Sequence, residues 1–211
     1  MAETMTMNRV IHAAVRRDLD RLAAALDSAP DGDRSRAQDL RRAYGNLHAE
    51  LVYHHEGEDR LVFPVLVRLG VDQALVDEMD AEHHAMAEAL TSTAAALDTY
   101  ATSGSAADAA AARASVEQTR QVVDRHLDHE EAELEPLMLP HLESPEWKQT
   151  EKQLRKRPLG ESGRFFAWLT DGMDPASQSH LKATVPAPVV FVLGSVIGRG
   201  YHRDIAPVWR T

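Results

Sequence analysis

The chain contains no cysteine. That removes disulfides and thiolate-ligated metals, and it fits a reducing compartment. Aromatic residues are only 5% of the 211, and the palette, rich in alanine and leucine, favours helix over strand. Positive charge is in deficit, with 23 Lys and Arg against 33 Asp and Glu and a net charge of −10. A surface of that sign argues against nucleic acid as the main partner, because phosphate binding wants a basic face. Long apolar runs are missing too. The longest, 185–197, falls short of the roughly 20 residues a bilayer span needs. The first twenty residues, MAETMTMNRVIHAAVRRDLD, lack the continuous apolar core of a signal peptide. A soluble cytoplasmic protein with no membrane span is expected.

What is present is periodicity. Hydrophobic residues are 44% of the chain, enough for a real core, and they recur at helical spacing. His12, Val15, Leu19, Leu22 and Leu26 alternate at intervals of three and four. Leu40, Tyr44, Leu47, Leu51, His54, Glu58, Leu61 and Val65 do the same, followed by Val76, Met79, His83, Met86, Leu90 and Leu97. A fourth stripe reads Val116, Thr119, Val123, His126, Glu130, Glu133 and Leu137. Short turns at SAPDGDRS, LGVD and ATSGSAAD separate them. Four amphipathic helices with short connections predict an all-α, up-down-up-down four-helix bundle over residues 1–143. From Ser144 the texture changes to basic KQTEKQLRKR and to proline-containing apolar stretches, and all three tryptophans lie in 144–211. Residues 144–211 are expected to be a C-terminal extension of short helices, packed on the bundle or on a partner. FFAW (165–168) is its expected anchor, and KQLRKR a solvated helix face.

The stripes carry polar residues that a core does not want. Successive helix positions turn by about 100°, so one member of a His-His pair faces the axis. His12, His54, His83 and His126 fall on the stripes, and Glu58 and Glu130 stand four residues after His54 and His126. Buried imidazoles and carboxylates are costly unless paired or bound to a cation. Two metal ions, with carboxylates bridging and imidazoles terminating, supply the explanation. His55, His84 and His129 fall beside the stripes and read as surface or supporting residues, with Asp59 placed to hydrogen-bond a ligand imidazole. His48, His141, His180 and His202 have no ligand spacing.

Taken together, the early His12, the run His54-x-x-x-Glu58-Asp59 leading to Phe63-Pro64, the pair Glu82-His83, and His126-x-x-x-Glu130-Glu131 resemble the hemerythrin-like, HHE cation-binding family over about residues 8–141. The resemblance implies a non-haem di-iron centre of two iron ions, oxo- or hydroxo- and carboxylate-bridged. Its ligands would be His12, His54, Glu58, His83, His126 and Glu130, with Glu131 the alternative last carboxylate. The family's usual small ligands are O2, H2O2 or NO. The oxygen carriers have a further histidine where this chain has Met79, a position Asp80 would have to cover. That departure leaves more open coordination and favours catalase-like processing over carriage, in a setting of oxidative stress. The alternatives are an oxygen-, iron- or redox-sensing module signalling through 144–211, and a di-iron oxidase of an organic substrate. Manganese and zinc stay open as metals. Residues 144–211 are where a homo-oligomer or protein partner would engage.

Overall fold

A computed structural model describes residues 5–210. Its frame is four long helices: α1 (Met7–Asp27), α2 (Arg34–Gly57), α4 (Gln73–Ser103) and α5 (Ala106–His129). Each starts on a side-chain cap: Thr6, Asp33, Asp72 and Ser105 accept from backbone N–H groups of their first turns, which satisfies donors the helix cannot. The connections are short enough that neighbours run antiparallel, as the stripes predict. Among the described residues there is no strand.

At one end of the bundle the α1–α2 loop meets the α4–α5 loop, with Gly32 donating its N–H to the Gly104 carbonyl at 2.8 Å. Gly104 closes α4 in a left-handed conformation, φ +69°, and a Cβ there would lie 2.9 Å from the Arg34 nitrogen. Both the backbone and the packing require glycine at this position. Gly104→Ala is expected to cost more than about 1 kcal/mol, read as a melting point lower by roughly 2–4 °C for each kcal/mol lost.

The stripes hold along most of each helix. Val15, Leu19, Leu22, Leu40, Leu51, Met86, Leu97, Val116 and Val123 are all buried. They then slip by one residue. After Glu58 the buried positions are Val62, Phe63, Val65 and Leu66, so expected Val65 is buried but Leu61 only half-buried; after Glu130 they are Leu134 and Glu135, while Glu133 and Leu137 are exposed. The cause is a π-helical turn at Glu58–Val62 and another at Glu130–Leu134, where Phe63 and Glu135 donate to the carbonyls five residues back. Proline follows each turn, Pro64 and Pro136. Proline lacks an N–H, and its ring clashes with the carbonyl four residues earlier. A wider turn relieves that clash and stores one extra residue, a feature that recurs at functional sites. The chain continues into α3 (Phe63–Arg68) and α6 (Glu135–Met138).

The extension comprises α7 (Pro145–Leu154), α8 (Leu159–Thr170), α9 (Pro175–Thr184), α10 (Ala187–Phe191), a π-helical stretch Val192–Ile197, α11 (Arg199–Asp204) and a final 3-10 turn Ala206–Arg210. It does not stand apart. Ala167, Trp168, Leu169, Leu181, Tyr201, Ile205 and Val208 belong to the same apolar core as α1, α2 and α5. Trp168 of the FFAW run is fully buried, and its Nε1 donates to Oδ2 of buried Asp18 on α1 at 2.8 Å. A second core, with Phe63, Leu66, Met79, Leu134 and Trp147, closes the other end of the bundle under the π turns. Arg157 departs from the expected solvated face. Its side chain is 11% exposed, pairs with buried Glu50 at 2.8 Å and lies over the Tyr53 ring.

Candidate metal centre

Antiparallel order brings the start of α1, the end of α2, the first third of α4 and the end of α5 to one level. His12, His54, His83, His126, Glu58 and Glu130 all converge there. His12 lies in the second turn of α1, and His54 and His126 come late in helices that run the other way. His12 and His126 are essentially inaccessible, and Glu58, Glu130 and His83 are buried.

A seventh residue joins them. His55, expected beside the stripe and outside the centre, is 7% exposed and stacks on the His83 ring at 4.2 Å. Two ligand sets result, His55–His83–His126 and His12–His54–Glu130, each with its donor atoms within 4.8 Å of one another; Glu58 forms a third such group with His54 and His55. One histidine per helix is the expectation for a site on the bundle axis. This site is wide, and adjacent residues 100° apart on α2 straddle it, one serving each half. His55 is the additional histidine of the cluster, while Met79 lies buried in the second core. Asp80 faces solvent beside exposed His84 and takes no part.

The two acids connect the sets. Glu58 directs Oε1 to His54 Nε2 at 3.2 Å and Oε2 toward His83 Nε2 at 3.7 Å. Glu130 Oε2 lies 3.2 Å from His12 Nε2 and 4.0 Å from His126 Nε2. Its other oxygen accepts from the Asn8 amide at 2.9 Å. Glu131 stands outside, against His12 Nδ1 at 2.8 Å and Arg16, so the geometry separates the two candidate acids by role.

Outer carboxylates fix the imidazoles. His83 Nδ1 donates to Asp59 at 2.7 Å, and His126 Nδ1 to Glu82 at 2.9 Å; the other Glu82 oxygen takes His129 Nδ1 at 2.9 Å. With the proton held on Nδ1, each Nε2 presents a lone pair inward. His83 and His126 then aim two lone pairs at each other across 3.2 Å, an arrangement that a bound cation would satisfy, as would a proton added to one ring. His55 Nε2 and Glu58 Oε2 are buried without a hydrogen-bond partner. Each such atom costs about 1–3 kcal/mol, and a bound metal would offset that cost. The donor set fits a pair of ions. Besides His55, sequence reasoning gave no role to Glu82, although it noted the adjacent Glu82-His83 pair.

Electrostatics agree. Burial, then the charge His12 carries, lowers His54 to about 3. Burial, then His83, holds His55 and His126 below the usual range. Burial works against a charged His12, yet hydrogen bonds to Glu130 and Glu131 raise it. Burial and the neighbouring Glu130 push Glu58 well up. Burial raises Glu130 as well, but the His12 bond and the surrounding imidazoles prevail and lower it. His54, His55 and His126 are thus held as neutral imidazoles beside an ionised Glu130, the forms a metal requires, whereas His12 and Glu58 would release their protons on binding it.

A helical bundle whose core holds two histidine sets joined by carboxylates defines a metal-binding bundle protein. The hemerythrin HHE cation binding domain matches residues 8–138, and the chain belongs to that family. No curated protein and no solved structure matches it.

His55→Ala is expected to lower bound metal from about two ions per chain to about one, with His84→Ala as the unaffected control, read by metal analysis after desalting.

Proposed function

We propose that the chain is a non-haem di-iron protein that binds and processes O2, H2O2 or NO, with catalase-like turnover of peroxide as its favoured activity. One observation carries the reading: two ligand sets, of three histidines and of two histidines with Glu130, share Glu58 and Glu130 between them. Imidazole with carboxylate suits iron. Iron held there would supply a ferrous–ferric couple with open coordination positions.

The chain's own residues would do the rest. Asp59, Glu82 and Glu131 hold the Nδ1 protons and keep the rings aimed. Phe63 stacks on the far face of His83 at 5.4 Å and, with Val62 and Met79, excludes water on that side. Asn8 keeps one Glu130 oxygen occupied. Depth favours a small ligand over an organic substrate. A cavity of 90 Å³ against α1 and a groove of 320 Å³ beside α7 are both lined without any residue of the cluster.

Anaerobic ferrous reconstitution followed by air tests the proposal. About two irons per chain, with a new near-ultraviolet absorption on oxidation, is the expected result. Less than one iron, or zinc displacing it without colour, overturns it.

A further inference from the structure

The exposed large apolar side chains are concentrated far from the metal centre. Four of them lie in one stretch of the extension: Val189 at 42%, Phe191 at 64%, Val192 at 46% and Val196 at 48% exposure. Isolated exposed aliphatics are ordinary, but a contiguous patch marks a contact surface. The stretch is held by its inner side. Gly194 packs on Phe166 and Ala167 of α8, and a Cβ on Gly163 or Gly198 would meet the opposing helix at 2.4–2.5 Å. These glycines seat α10 and the π-helical stretch directly on α8, so the large side chains point outward. A 116° bend separates α9 from the Ala187–Ile197 stretch, which forms the apolar ridge.

Charge distinguishes the ridge from the rest of the molecule. Residues 144–211 hold ten Lys and Arg against six Asp and Glu in a chain that is otherwise strongly acidic. Between Asp174 and Asp204 there is no acidic residue at all, while Lys182, Arg199 and Arg203 are present; Arg203 is paired with Asp204 at 2.6 Å, which leaves Lys182 and Arg199 as the cations. Arg199 is exposed and follows one turn after Val196. An exposed apolar stretch flanked by cations and free of acids is what inserts among the headgroups of an anionic lipid surface. Among the described residues no single helix is long and apolar enough to cross a bilayer, and α9 with Ala187–Ile197 reaches that length and hydropathy only as a pair broken by the 116° bend. A second copy's bundle would meet the basic rim but offers little apolar surface in return, since Leu137 is its one large apolar side chain among those exposed in the described residues. Ridge against ridge would bring like charges together.

We propose that the Val189–Val196 ridge docks the protein on anionic phospholipid, with Phe191 inserted and Arg199 at the headgroups. The test is flotation of the full-length, metal-loaded chain with vesicles of neutral phosphatidylcholine, or of the same lipid carrying phosphatidylglycerol at about 30%. Binding to the anionic vesicles alone is expected. It should weaken about tenfold for Phe191→Asp and for Arg199→Glu, and fall as salt rises from about 0.1 to 1 M and the screening length from about 10 to 3 Å. Phe191 lies outside the core, so unchanged helicity and metal content would show that the variant still folds. Equal binding to both vesicle types, no binding to either, or no effect of Phe191→Asp would overturn the proposal. So would a dimer in light scattering that Phe191→Asp dissolves, which would assign the ridge to a second copy.

Discussion

If the chain holds two ions as proposed, Glu58→Gln is expected to strip both, whereas His55→Ala removes one. Glu58 places one oxygen by His54 and the other toward His83, so both halves of the centre depend on it. Glutamine keeps the volume but offers only one oxygen, and a neutral one. Removing even an outer-shell partner costs about 10–100-fold in metal affinity, so the loss here should exceed 100-fold for each ion. Competition with a graded chelator series would measure it; retention of one tightly held ion would show that Glu58 is not shared.

The same variant has an opposite effect without metal. Burial and Glu130 raise the Glu58 pKa well above its ordinary 4.5. A group raised in the folded state contributes its full stability below 4.5 and loses it as pH rises through the folded value. Glutamine pays no such penalty. Metal-free Glu58→Gln should therefore resist urea better than the metal-free parent at neutral pH, and that advantage should vanish as pH falls below about 4.5.

The second large effect is on folding. Trp168→Ala is expected to destabilise the whole chain by about 3–5 kcal/mol. The indole is fully buried in the core shared with α1, its Nε1 holds Asp18 Oδ2, and the Arg17 guanidinium lies 5.9 Å from its ring centre. Truncation opens a cavity and takes a hydrogen bond from an acid that is 1% exposed, although Arg17 at 2.9 Å and Arg21 at 3.2 Å still pair with it. Thermal unfolding should show one transition, lowered by roughly 10 °C. An unchanged bundle transition with a separate early one would mean that the extension melts alone.

Most of the helical frame could be read from apolar spacing, because stripes such as Leu40 to Leu51 and Val116 to Val123 obey one period throughout. The reading failed where the period itself changes. A proline six residues after each inward glutamate, at Pro64 and Pro136, widens the helix and moves Leu134 to the position expected of Glu133. That repeated spacing was visible in the sequence and is the sign to look for. His55 was missed for another reason: an axis has no width, but a site for two ions does. Asp18 with Trp168, and Glu50 with Arg157, lay beyond pattern reading because the partners are 150 and 107 residues apart and no local period connects them.

The ligand sets are distributed so that no helical hairpin owns one. His12, His54 and Glu130 come from the first, second and last long helices or their continuations, and His55, His83 and His126 from the second, third and last. An ion in either set would tie together segments more than seventy residues apart in the chain, closing loops whose entropy the unfolded state otherwise keeps. In a protein without cysteine, each ion would act as a reversible staple, and occupancy would report directly that the two hairpins have docked.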